Sequence, residues 1–143
     1  MKNALLNTLV VVALLTAPGV SLAAGFKVIV NAEQRSEKLS KDDVSRIFLK
    51  KLTRWSDGTE IRVVQPKGDT AVRAAFDPAV HDRSPAAIRT YWAQMVFSGR
   101  DVPPVEKAND EAIVDFVRQN RGAIGVVSEG AALAGGVKGV EVK

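Results

Sequence analysis

Few side chains in this sequence can move a proton or attack a substrate. His81 is the only histidine, with Asp77, Asp82 and Arg83 beside it in a polar stretch. A general base needs a nucleophile or metal-binding partner within reach, and neither a second histidine nor a nucleophile motif accompanies this one. His81 is therefore read as a surface histidine in a polar loop. Ser84 precedes a proline and Ser128 closes an apolar run, so a helix cap and a strand end explain them better than a Ser-His-Asp set does. Cysteine is absent, which removes thiol catalysis and thiolate metal sites, and no cofactor is expected. Lys67, Gly68, Asp69, Thr70 and Arg73 form the other polar cluster. Taken by themselves, Asp69 and Thr70 suit a helix N-cap, and Lys67 and Arg73 suit solvated surface charges.

The elements that position these residues follow from periodicity. Phe26 to Val30 is a short β-branched run that reads as a buried parallel strand. Ser40-Lys41-Asp42-Asp43 supplies a cap hydroxyl and first-turn acids to a helix whose apolar face is Val44, Ile47 and Phe48. Trp55-Ser56-Asp57-Gly58 is turn chemistry, and Ile61 to Val64 is a second strand. Pro66 to Asp69 then leads into a helix start at Thr70, with Val72, Ala75 and Phe76 on one face and Asp77-Pro78 ending it. Ser84-Pro85 opens a longer helix striped by Ile88, Tyr91, Trp92, Met95 and Val96, which Gly99 closes. Trp55, Tyr91 and Trp92 are packing residues at core or half-core positions. Asn109-Asp110-Glu111 starts another helix with Ile113, Phe116 and Val117 facing inward, and Asn120-Arg121-Gly122 stops it. Ala123 to Val127 is a buried strand, and Val140 to Val142 is a candidate closing strand. The alternation of strands with helices predicts an α/β domain with a mostly parallel sheet and helices on both faces.

The chain has 143 residues, 46% hydrophobic and 25% charged, as expected of one folded domain. Twenty basic against sixteen acidic residues leave a net charge of +4 without any long run of one sign, and aromatics are only 6%. No nucleic-acid partner is expected from that pattern. The first 24 residues differ in kind: one lysine, an apolar stretch from Ala4 to Ala17, Pro18-Gly19, then small residues through Ala23-Ala24. This is the layout of a secretory signal, cleaved near Ala23 or Ala24, with an uncleaved N-terminal anchor as the alternative. The expected division is thus residues 1–24 as leader and 25–143 as a periplasmic domain with no stable membrane insertion after cleavage.

Ordered strings carry a resemblance. Ser45 to Lys51 with Trp55-Ser56-Asp57-Gly58, then Ser84-Pro85, Tyr91-Trp92, Phe97-Ser98-Gly99, Pro103-Pro104 and finally Gly122 to Ser128 resemble, in order, the phosphate-binding proteins of ABC transporters. Full-length members of that family have two α/β lobes that close on the ligand, and this chain resembles one lobe. In the family an Arg-x-Asp-Gly-Ser-Gly-Thr stretch between a strand and a helix holds phosphate, because free N–H groups and the helix dipole meet the anion there. The resemblance places Gln65 to Thr70 at that position, with Arg73 one turn further. Gln65 stands where the family arginine would be, and Asp69 would repel a phosphate dianion unless it accepts the proton of a protonated form.

The resemblance implies a non-catalytic periplasmic solute-binding module for inorganic phosphate or a related oxyanion, associated with ABC-type transport. Lys67, Gly68, Asp69, Thr70 and Arg73 are its expected ligand-binding residues, and a transporter or a second protein chain covering the lobe is the expected partner. The alternative is an interaction or structural module that keeps the lobe without the ligand. A phosphate-ester hydrolase would need acid, base or metal residues that the sequence does not group.

Overall fold

The computed structural model describes residues 25–143, and the expected leader lies outside them. The elements in order are β1 (Phe26–Asn31), β2 (Lys38–Leu39), α1 (Lys41–Phe48), β3 (Arg62–Pro66), α2 (Ala71–His81), α3 (Pro85–Phe97), β4 (Val105–Lys107), α4 (Asp110–Gln119), β5 (Ala123–Ser128) and β6 (Val137–Val142). One sheet holds the strands in the order β2-β6-β1-β5-β3-β4. The β2–β6, β3–β5 and β3–β4 pairs run parallel, so the sheet is mostly parallel, as expected. β1 departs from its own expectation: it is antiparallel to both β5 and β6. An unbroken apolar run reports cover on both faces and is silent on strand direction.

That double cover is visible residue by residue. Side chains alternate across a strand, so Val28 and Val30 join a core with Val44, Ile47, Phe48 and Phe76 from α1 and α2. Ile29, between them, joins Ile113, Val114 and Val117 of α4 on the opposite face. β5 lies beneath α4, and a Cβ at Gly125 would come within 2.9 Å of both Ile113 Cγ2 and Val64 Cγ1. Glycine at this position is what lets α4 lie close on the sheet.

The caps fall where the sequence places them. Ser40, Thr70, Ser84 and Asn109 each accept a hydrogen bond from the backbone N–H three residues on. Two helix readings change. α2 does not stop at Asp77-Pro78 but runs through Pro78 to His81, where Asp82 adopts a left-handed conformation and donates its N–H to the Pro78 carbonyl. A proline inside a helix costs about 3 kcal/mol, while burying Val80 returns roughly 1.5–3 kcal/mol. In α4 the buried residues are Ile113, Val114 and Val117. Phe116 is only half-buried and lies under the Arg62 guanidinium and the Lys107 ammonium, 5.9 and 5.8 Å from its centroid.

Two of the resemblance strings lock together. Trp55 is buried, and its indole N–H donates to the Gly122 carbonyl at 3.0 Å. The turn around it is closed by Gly58 N–H to Trp55 O and by Thr59 N–H to the Asp57 carboxylate. Trp55 to Gly58 thus anchors the approach to β5. The Trp-Ser-Asp-Gly and Gly-Ala-Ile-Gly strings build the fold.

Candidate anion-binding site

The first turn of α2 sits at the end of β3, beside the end of β4. The Lys67 N–H donates to the Lys107 carbonyl at 2.9 Å, tying the loop to the neighbouring strand end. Gly68 follows with φ of 77°, a left-handed turn open to a side that has no neighbouring atoms within 4 Å. Thr70 caps α2, its Oγ1 accepting from the Arg73 N–H at 3.2 Å. The N–H groups of Gly68, Asp69, Thr70, Ala71 and Val72 have no partner among the described residues. Such donors at a helix start, with the positive end of the dipole behind them, favour an anion.

Two guanidinium groups approach the same place. Arg73 is only 7% exposed and grips Asp77 one turn on, with Nε at 3.2 and 3.3 Å and Nη2 at 3.1 Å from the carboxylate oxygens. Burial pushes the Asp77 carboxyl above its ordinary range, and the hydrogen bond and charge of Arg73 pull it partway back. Arg89, from α3, reaches across the loop and pairs with Asp69 through Nη1 and Oδ1. Gly68, Asp69, Arg73, Pro85, Arg89 and Glu106 line a pocket of about 60 Å³. That is several times the roughly 10–15 Å³ that one water needs, room for one small oxyanion.

Of the five residues expected at the site, Gly68, Asp69 and Arg73 line this pocket, and Thr70, which does not, caps the helix that starts beside it. The Lys67 side chain is not among the lining groups, although its backbone fixes the loop. Sequence reasoning missed Arg89 and Glu106. Each comes from an element remote in sequence, and no local pattern distinguishes Arg89 from other solvent-facing residues of α3. Gln65 is buried at the end of β3 and lines a larger groove that opens beside the pocket.

His81 is not the loop residue expected from sequence. It ends α2, half-buried, with Nδ1 2.8 Å from Ser45 Oγ and its ring edge-on to Phe76 at 5.4 Å. Burial, then the charges of Arg73 and Arg83, lower its pKa to about 4. A neutral imidazole beside a serine lacks the orienting carboxylate of a catalytic triad here, because Asp82 is tied to Lys41 at 2.8 Å.

The strand-loop-helix geometry and the order of the sheet agree with the comparisons. Residues 22–139 match the family described as the PBP superfamily domain. The chain belongs to that family. No match was found among curated proteins. Solved structures similar to this PBP superfamily domain include an ABC-type phosphate transport receptor from Vibrio cholerae, with 18% identity and a TM-score of 0.63 over 82% of this chain and 46% of that one. A second is a substrate-binding protein of the phosphate ABC transporter type from Clostridium perfringens, solved with phosphate bound. It has 20% identity and a TM-score of 0.64, over 82% of this chain and 44% of that one. A third, from Planctomyces limnophilus, shares 16% identity with a TM-score of 0.60, over 83% of this chain and 41% of that one. The chain spans less than half the length of each, and it has the fold of a single lobe of such proteins. No helix among the described residues is long and apolar enough to cross a membrane.

Proposed function

We propose that residues 25–143 form a periplasmic solute-binding module that holds phosphate or a related oxyanion at the first turn of α2 and serves ABC-type transport without altering its ligand. The observation that carries this reading is a pocket of about 60 Å³ lined by Gly68, Asp69, Arg73 and Arg89, beside a helix start whose N–H groups from Gly68 to Val72 have no partner among the described residues. The solved neighbours are named as phosphate receptors and binding proteins, which supports a binding role over a catalytic one. Arg89 supplies the cation that the Gln65 position lacks, and it offsets the charge of Asp69, whose carboxylate then accepts a hydrogen bond from the P–OH of monoprotonated phosphate. Sulfate carries no proton at neutral pH, so phosphate is the preferred oxyanion.

Ligand pockets usually bury most of their ligand, and this one lies open on a single lobe, so the affinity is set in the millimolar range. Calorimetry and thermal melts with phosphate and sulfate test the reading. At about 10 mM phosphate a millimolar site stabilises the fold by roughly 1.4 kcal/mol, and sulfate stabilises it less. Thr70→Ala combined with Arg89→Ala removes the response while leaving the fold intact. Arg73→Ala is the poorer test, since it strands the buried Asp77 carboxylate at a cost of about 3–5 kcal/mol. No phosphate-dependent heat and no rise in melting temperature would overturn the binding reading in favour of an interaction module.

The leader reading places the module in the periplasm. Mass spectrometry of the exported protein is expected to find a mature N-terminus at Ala24 or Gly25, and a chain that keeps Met1 to Ala23 would contradict it.

A further inference from the structure

The last turn of α3 ends in an apolar surface that the fold leaves open. Phe97 is 95% exposed and Val96 52%, and Val102 on the following loop is 60% exposed. Single exposed apolar side chains are ordinary, but a contiguous exposed apolar surface marks an interaction site. Beside it runs a groove of about 510 Å³ between α3 and the β3–β4 end of the sheet, walled by Trp92, Ala93, Val96, Phe97 and Pro103. Its far side is β4, an edge strand of three residues paired on one side only, with β3. A protruding aromatic and an apolar groove of the size to receive it therefore share one patch.

The charges around the patch have the same self-complementary character. Arg100, just past the end of α3, is exposed and has no acidic partner among the described residues; Glu106, on β4 at the groove, is exposed and has no basic one. A surface that carries its own knob, hole and both signs of charge fits a second copy of itself turned by a two-fold axis, the isologous contact of a C2 dimer. A knob and a hole on opposite sides of the molecule would instead generate open chains.

We infer that this domain forms a two-fold dimer in which Phe97 of each copy enters the groove of the other and Arg100 of each meets Glu106 of the other. Arg73, Arg89 and Glu106 line both the groove and the anion pocket, so the second copy covers the side of the pocket that a single lobe leaves open. The association itself does not depend on the ligand reading, because its contacts are apolar and intermolecular charge pairs.

Sedimentation velocity of the purified protein in phosphate-free buffer tests it. The expected result is a monomer–dimer equilibrium across concentrations of about 1–100 µM. Phe97→Asp removes a central aromatic anchor and is expected to weaken the dimer by about 30-fold or more with an unchanged circular dichroism spectrum and melting curve, since the side chain is exposed. Arg100→Glu and Glu106→Arg singly weaken association, and the two together restore it, a pattern a merely destabilised fold would not give. A protein that stays monomeric over that range, species that keep growing with concentration, or a dimer indifferent to Phe97→Asp would each overturn the inference. Loss of phosphate binding with the dimer retained would count against the proposed function alone.

Discussion

Asp69 and Arg89 decide the character of the pocket. The carboxylate that sequence alone marks as repulsive to phosphate is neutralised by a guanidinium from another helix. Asp69→Ser removes the acceptor on which discrimination rests and releases Arg89, so the preference for phosphate over sulfate is expected to fall, with sulfate binding strengthening several-fold. Calorimetry with both anions at pH 6.5 and 8 checks this, and an unchanged preference would contradict the acceptor role of Asp69. His81 gives the protein its own pH response. Its folded-state pKa of about 4 lies below the ordinary 6.5, so between those values the unfolded chain binds more protons than the folded one. Stability is therefore full above pH 6.5 and falls as pH drops toward 4. Lys51, Arg73 and Arg83 reinforce the depression and Asp82 opposes it. Asp77, raised by burial, pulls the other way, its carboxyl gaining its proton as acid is added. Melting temperatures between pH 7 and 4.5 are expected to fall, and His81→Gln is expected to flatten that part of the curve. A His81→Gln curve that matches the wild type between those pH values would contradict the burial of His81.

At the scale of elements, much of the domain is legible because local chemistry and tertiary role coincide. The four cap residues, the proline opening α3 and the glycine closing it are backbone requirements, and each stands where its residue type indicates. The misreadings arise where the deciding contact lies elsewhere in the chain. Pro78 breaks helices in isolation, yet Val80 beneath it is held by the core; Phe116 fits an apolar stripe, yet Arg62 and Lys107 draw its ring to the surface. Arg89, the most consequential omission, becomes part of the site only when α3 folds back over the loop before α2. Packing then sets the expected costs. Trp92→Ala is expected to destabilise by about 3–5 kcal/mol, and Phe116→Ala by appreciably less. Gly125→Ala is expected to cost about 1–3 kcal/mol, because the added methyl group overpacks the contact with Ile113 and Val64. Chemical denaturation measures all three, and equal losses for Trp92 and Phe116 would show that the burial of α4 is misplaced.

At the scale of the whole fold, the described residues leave one face open. The sheet and its two helical layers make a complete core, yet the anion pocket and the apolar groove beside it both open on the same side. In the proposed reading, free donors, two guanidinium groups and a glycine turn hold an anion without enclosing it, and a covering partner would raise the affinity. Phosphate titration followed by amide nuclear magnetic resonance is the most direct test of that account, since it reads the very N–H groups on which the account depends. The predicted result is saturable shifts in the low-millimolar range, largest at Gly68 to Val72 and at the Arg89 side chain, with β1 and α4 unmoved. Amides at Gly68 to Val72 that stay fixed up to about 20 mM phosphate, a concentration that would fill a millimolar site almost completely, would contradict it.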